Sequence, residues 1–353
     1  MYHSLHGSYI VNNQRYIKED GSRSSFLKEQ GGAFEGRYSR GLDELLCMWI
    51  TKLSYQDGLK FLEFITGTTL LTSNGLQDYI IRRGVEISED WKRSSLSVEL
   101  GQLLIADEID VYDSETQEII VMMDDVCVKA QKPHKKVDRV EEDAKRIDTT
   151  IALIRDNLGA YHPVTEGINL KGEIIYPIED AIQDKVLELH CVDYPLPIVA
   201  LTDGARSIRL SLEKIFGIGV CIILDWYHLS LKITTLMSMI ACNKEDKTLY
   251  IHDLKAYLWK GKVDDALTYL IAIPRIKHAQ KHQELLGYLS KHKSEIIDYE
   301  KRQKAGKTIG SGRCEKANDC FVAHRQKKKG MAWAANGSKA LAILRVHFNV
   351  KAA

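Results

Sequence analysis

The chain has 353 residues, a net charge of +1, 44% hydrophobic residues and 27% charged residues, a balance that favours packed cores, at a length that allows two or three domains of roughly 100–200 residues each. No run of about 18 apolar residues occurs, so no helical membrane span is expected, and the polar opening MYHSLHGSYIVNNQRY lacks the apolar core of a secretory signal. The seven cysteines are scattered, odd in number and free of any CxxC pair; neither a disulfide framework nor a zinc ribbon is expected, and a reducing cytoplasm suits them.

In chain order, residues 1–40 are polar and glycine-rich and read as a loop or mobile arm. Residues 41–105 turn helical. Leu42, Leu45, Leu46 and Trp49 recur at helical spacing, a second helix covers Tyr55 to Thr66, and after a turn at Gly67 a third starts with Ser73 as its cap and stops near Gly84. Two short helices joined by a tight turn make a candidate helix-turn-helix that presents Asn74, Gln77, Arg82 and Arg83 to DNA; an ordinary helical hairpin is the alternative.

Residues 106–228 mix strands and helices. Glu118 to Lys129 is rich in β-branched residues and reads as a strand, a bend at Asp124 and Asp125, and a second strand. Ile147 to Arg155 is another apolar run, and Asp180 to Leu189 an amphipathic helix. Pro197 to Thr202 is a buried strand ending at Asp203 and Gly204, before a helix from Arg206 to Phe216; Gly219 to Leu224 repeats the arrangement and ends at Asp225. This alternation implies an α/β sheet. Residues 229–305 are helical throughout. From 306 onward come Ile309 to Gly312, a helix carrying Glu315, a basic run, and a terminal helix with Leu341, Ile343, Leu344 and Val346.

Ligands of open α/β sheets bind beyond the carboxyl ends of the strands. Acids at such ends (Asp124 or Asp125, Asp203, Asp225) are therefore candidate ligands for hard cations, which prefer carboxylate oxygen. Each has a plainer role available: a hairpin bend for the Asp124–Asp125 pair, helix caps for Asp203 and Asp225, an exposed helical position for Glu315. Charge is also unevenly placed. Between Lys301 and Gly330 stand ten basic residues, opposed only by Glu315 and Asp319. Such an excess suits phosphate contact; a solvated helical face is the alternative.

Three segments carry a resemblance: Pro197 to Ala205 with Asp203, Ile222 to Leu229 with Asp225 and His228, and Ile309 to Asn318 with Glu315, followed by Arg325 to Trp333. Together they resemble transposases of bacterial insertion sequences in the Kra-type group, related to Mutator-like elements, over about residues 118–346. The resemblance implies an α/β fold with an RNase H-like catalytic core, an all-helical insertion and a helical, helix-turn-helix-like N-terminal domain. Its divisions fall at 1–40 (polar arm), 41–105 (helical DNA-binding domain), 106–228 (first part of the core), 229–305 (insertion) and 306–353 (closing part with the glutamate helix). It further implies Asp124, Asp203 and Glu315 as catalytic residues holding two Mg²⁺ ions, with Mn²⁺ able to substitute. The family usually has glycine after the first aspartate, where this chain has Asp125, so Asp125 stays a candidate. Asp225 and His228 fit an accessory signature; at i and i+3 they share a helix face, and a structural histidine is the alternative for His228.

The implied activity is cleavage of DNA at element ends and transfer of the freed 3′-hydroxyl into target DNA, by a homo-oligomer on double-stranded DNA with no membrane partner. Lys307, Arg313, Lys316, Arg325, Lys327, Lys328 and Lys329 would grip phosphates near the site; Trp333 would stack on a flipped base or pack in the core. A catalytically inactive or truncated transposase-derived DNA-binding protein is the main alternative, and another RNase H-like nuclease acting on branched DNA a third.

Overall fold

A computed structural model describes residues 2–10, 14–25, 38–95, 106, 108–132, 146–189, 195, 197–217 and 220–348. Residues 96–105 of the stretch read as helical, and Gly219 at the head of its strand, lie outside them.

In place of a plain loop, the first residues form two small antiparallel hairpins, β1 (Tyr2–Ser4) with β2 (Gly7–Tyr9) and β3 (Arg15–Ile17) with β4 (Arg23–Ser25). Ser39 N donates to His3 O, tying the first hairpin to helix α1 (Arg40–Glu44). Helix α2 (Tyr55–Thr66) is capped by Ser54 and ends at Gly67, whose φ of 68° suits glycine. Helix α3 (Ser73–Arg93) is capped by Thr72, not Ser73, and runs on past Gly84. Gly84 is no stop: it lies where a Cβ would stand 2.8 Å from the Ala340 Cβ, so it lets α3 approach the terminal helix closely.

The centre is one five-stranded mixed sheet in the order β11-β10-β5-β6-β7, formed by β5 (Ile119–Lys129), β6 (Arg146–Arg155), β7 (Tyr161–Thr165), β10 (Ile198–Thr202) and β11 (Cys221–Leu224). Strands β5, β10 and β11 are parallel; β6 is antiparallel to both β5 and β7. A short hairpin, β8 (Gly167–Ile168) with β9 (Ile174–Tyr176), precedes α4 (Ile178–Leu189), and α5 (Arg206–Phe216) links β10 to β11. The bend expected at Asp124 is absent. Strand β5 is continuous because β6 pairs with it along its length, from Ile120↔Arg155 to Lys129↔Arg146.

Alternation along β5 divides the core into two layers. Ile119, Val121 and Met123 face α4 and α5, through Ala181, Ile182, Ile208 and Leu212. Ile120, Met122, Val126 and Val128 face the other way, toward residues of α3, of α11 (Gly312–Asn318) and of α13 (Ala335–His347). Between β11 and α11 run α6 (Trp226–Ile240), α7 (Lys244–Trp259), α8 (Val263–Ile271), α9 (Ala279–Lys291) and α10 (Tyr299–Lys304). Their apolar faces (Leu236, Leu254, Leu270, Leu285, Leu289) continue that second layer. After α11 a π-helical turn, Asp319–Ala323, leads to α12 (His324–Gln326). Among the described residues, no helix is long and apolar enough to cross a membrane.

Candidate active site

Strand register sets three acids side by side. Leu201 of β10 pairs with Met122 of β5, so two residues further on Asp203 comes level with Asp124. Thr202 pairs with Leu224 of β11, so one residue further on Asp203 comes level with Asp225. Asp225 N donates to Thr202 O at 2.7 Å, which carries the parallel pairing to the end of β10.

Asp124 and Asp125 part ways because neighbouring residues of a strand face opposite sides. Asp124 shares the face of Met122 and Val126, toward α11, and its Oδ2 accepts from Asn318 Nδ2 at 2.7 Å. Asp125 is exposed on the other face, where its Oδ1 accepts from Thr150 Oγ1 at 2.6 Å. Asp124 therefore joins the other acids and Asp125 does not. Burial, and then the charge of Asp203, push the Asp124 carboxyl above its ordinary value, against hydrogen bonds from Asp125 N and Asn318 Nδ2.

Asp203 follows β10 directly. Its Oδ1 accepts from Ala205 N at 2.7 Å, and Gly204 turns the chain with a φ of 86°. A side chain at 204 would meet His292 Cε1 and Leu224 Cδ1, each at 3.0 Å, so glycine is required on both counts.

Asp225 is fully buried and both its oxygens are engaged. Oδ1 accepts from His228 N at 2.8 Å, capping α6, and Oδ2 accepts from Ser311 N at the entry to α11. Burial opposes its ionisation, yet hydrogen bonds from His228 and Ser311 hold the carboxyl below its ordinary value. This acid is a structural tie. It fastens the end of β11 to the glutamate helix, as does Trp226 N, which donates to Ile309 O.

His228 stands between that tie and Glu315. Its Nδ1 lies 3.3 Å from Asp225 Oδ1, an ion-pair contact without hydrogen-bond alignment, and its Nε2 lies 3.4 Å from Glu315 Oε1. Asp225 first, then Glu315 and Asp203, raise the imidazole above its ordinary value of 6.5 against the effect of burial. Glu315 remains accessible, with a side chain 44% exposed. On the same face of α11, one turn on, Asn318 reaches Asp124. Among the described residues, no three His, Cys, Asp or Glu side chains form a ready-made metal cage.

The helical block contributes residues that sequence reasoning did not single out. Burial, then the charges of Asp203 and Asp225, push the Tyr288 phenol up to about 12. The buried pair His292 and Glu295 lies 2.5 Å apart, and Glu295 also contacts Arg209 of α5. Glu295 O accepts from Leu224 N and Leu224 O accepts from the Tyr299 hydroxyl, so this block braces the end of β11 beside Asp203. No local pattern marks these residues, because their partners lie far away in the chain.

The expected DNA contacts divide. Arg82, Arg313, Lys316, Lys327, Lys328 and Lys329 are exposed, and Arg313 lies 5.6 Å from the centre of the Tyr161 ring. Two others are engaged inside the protein, and a third is held in ion pairs near the surface. Lys307 bonds to buried Glu118 at 3.1 Å, beside Arg302. Arg325 is buried between the rings of Tyr55 and Trp333. Arg83 is paired with Asp43 and Glu86. Trp333 is a core residue whose Nε1 donates to Gln326 O.

No protein-family model matches this chain, and no curated protein matches it. The chemistry of the cluster therefore stands on its geometry. Asp203 stands level with Asp124 at the ends of parallel strands, Asn318 of the glutamate helix bonds to Asp124, and Glu315 of the same helix contacts His228, near an exposed basic run.

Proposed function

We propose that the chain is a metal-dependent DNA transposase of the three-carboxylate type, with Asp124, Asp203 and Glu315 as its catalytic acids. The observation that carries this reading is the bridge made by α11: Asn318 bonds to Asp124 while Glu315 meets His228, beside an Asp203 level with Asp124. The strand order, with β5 central and only β6 reversed, is compatible with an RNase H-like core interrupted by the helical block between Asp203 and Glu315.

The residues suit a divalent cation. All three are oxygen donors, and burial and then the charge of Asp203, which raise the Asp124 carboxyl, are both effects that a bound dication would offset. The want of a closed cage is no obstacle, since Mg²⁺ usually keeps waters and takes one or two carboxylates plus substrate phosphates. Two Mg²⁺ ions, or Mn²⁺ in their place, supply the charge that stabilises an in-line displacement at phosphorus. Asp124, Asp203 and Glu315 would hold those ions. Asp225 fixes the entry of the glutamate helix, and His228 orients Glu315. The exposed Arg313, Lys316 and Lys327 to Lys329 bind double-stranded DNA by its phosphates. In this reading water first cuts the element end, and the freed 3′-hydroxyl then attacks target DNA, in a homo-oligomer in the cytoplasm.

The second reading is an inactive transposase-derived DNA-binding protein, which would keep the exposed Arg313, Lys316 and Lys327 to Lys329 as its phosphate contacts. A nicking and strand-transfer assay with Mg²⁺ on element-end DNA separates the two. The proposal expects cleavage and joining by the wild type, and a loss of at least about 100-fold in Asp203→Ala, the upper range for disturbed metal sites. Binding without cutting by both proteins favours the second reading; cutting without joining points to a branched-DNA nuclease.

A further inference from the structure

We infer that Asn318 belongs to the cation site, as an oxygen donor beside the three carboxylates; this rests on the metal-dependent reading above. Asn318 is 5% exposed, on the face of α11 that also carries Glu315. Its Nδ2 is committed to Asp124 Oδ2 at 2.7 Å, which fixes the orientation of the amide. Turning the amide over would set two oxygens against each other, so Oδ1 is the free end. That Oδ1 is buried and has no hydrogen-bond partner.

A buried, unpartnered amide oxygen is destabilising, so a role that uses it is to be sought nearby. The neighbouring carboxylate of Asp124 points to one: amide oxygens are ordinary ligands of hard cations, alongside carboxylates and water. One side chain then does two things, holding Asp124 in place through its nitrogen and offering its oxygen to the same divalent cation, directly or through one water. A cation held by the three acids alone would leave the oxygen as orphaned as before.

The test is calorimetric titration of Mn²⁺ into the full-length wild type, Asn318→Ala, Asn318→Asp and Asp203→Asn, with metal-free melting temperatures measured alongside. The inference expects Asn318→Ala to bind Mn²⁺ about 10–100-fold more weakly, the usual loss for groups that support a metal site. It expects Asn318→Asp, which loses the nitrogen's bond to Asp124 but keeps an oxygen at that branch, to bind Mn²⁺ more tightly than Asn318→Ala. A purely structural asparagine would lower the melting temperature in both variants and leave Mn²⁺ affinity alone, which overturns the inference. So does an Asn318→Asp variant that binds Mn²⁺ no more tightly than Asn318→Ala. Should the wild type bind Mn²⁺, Asp203→Asn lose it and Asn318→Ala keep it, Asn318 falls while the metal site stands. Should the wild type bind no Mn²⁺, both fall.

Discussion

Asp124 is an acid whose ionisation the fold opposes, chiefly through burial. Its folded carboxyl is raised above the ordinary value of 3.8, so its charged form is disfavoured by the fold and stability is gained as pH falls through the raised value. At neutral pH the metal-free protein carries the cost. Asp124→Asn is therefore expected to raise the metal-free melting temperature by roughly 1–2 °C, measured by calorimetry. Added Mg²⁺ should stabilise the wild type and not the variant, since only a state that binds the ion gains from it. His228 works in the opposite sense. Its folded value is raised above 6.5, so its contribution is fully present below 6.5 and disappears as pH rises through the folded value. The stability difference between wild type and His228→Gln, by urea unfolding, should be largest below the ordinary value of 6.5 and shrink as pH rises above it. A difference that grows with pH would contradict the contact with Asp225 and Glu315.

Among the elements, α3 and α13 meet at Gly84, and there two effects compete. Replacing a mid-helix glycine by alanine ordinarily stabilises by about 0.5–1 kcal/mol. Here the new Cβ would stand 2.8 Å from the Ala340 Cβ and 2.9 Å from its Cα. Neither is the flexible end of a side chain, so the helices must separate, at about 1–3 kcal/mol. Gly84→Ala is expected to destabilise in chemical denaturation, and a stabilised variant would show that the helices do not approach so closely. The same glycine reads in the sequence as a helix stop, because local propensity cannot see the partner helix. The Asp124–Asp125 pair reads as a bend for a like reason: aspartates favour turns, but the full-length pairing with β6 holds this strand extended.

Across the whole molecule, what the sequence makes legible is whatever is written locally. The apolar runs ending at Asp203 and Asp225 mark parallel strands ending at acids, and the helical spacing from Trp226 to Lys304 marks the block between them. Long-range partners are not written that way. Lys307 and Arg325 look like surface cations until Glu118, Tyr55 and Trp333 close around them. The brace of His292, Glu295 and Arg209 on the Asp203 turn has no local signature at all. Asp225 has one, but its buried position as a double hydrogen-bond acceptor makes it a tie where the sequence also allowed a ligand.

The central claim is that Asp124, Asp203 and Glu315 serve one cation site together. Mn²⁺ binding by Asp124→Asn, Glu315→Gln and the double variant tests it most directly, because residues that share an ion are non-additive. The account predicts that each single change weakens binding by at least about 10-fold and that the double change costs clearly less than the two losses combined. Independent, additive losses, or affinities equal to that of the wild type, would contradict it.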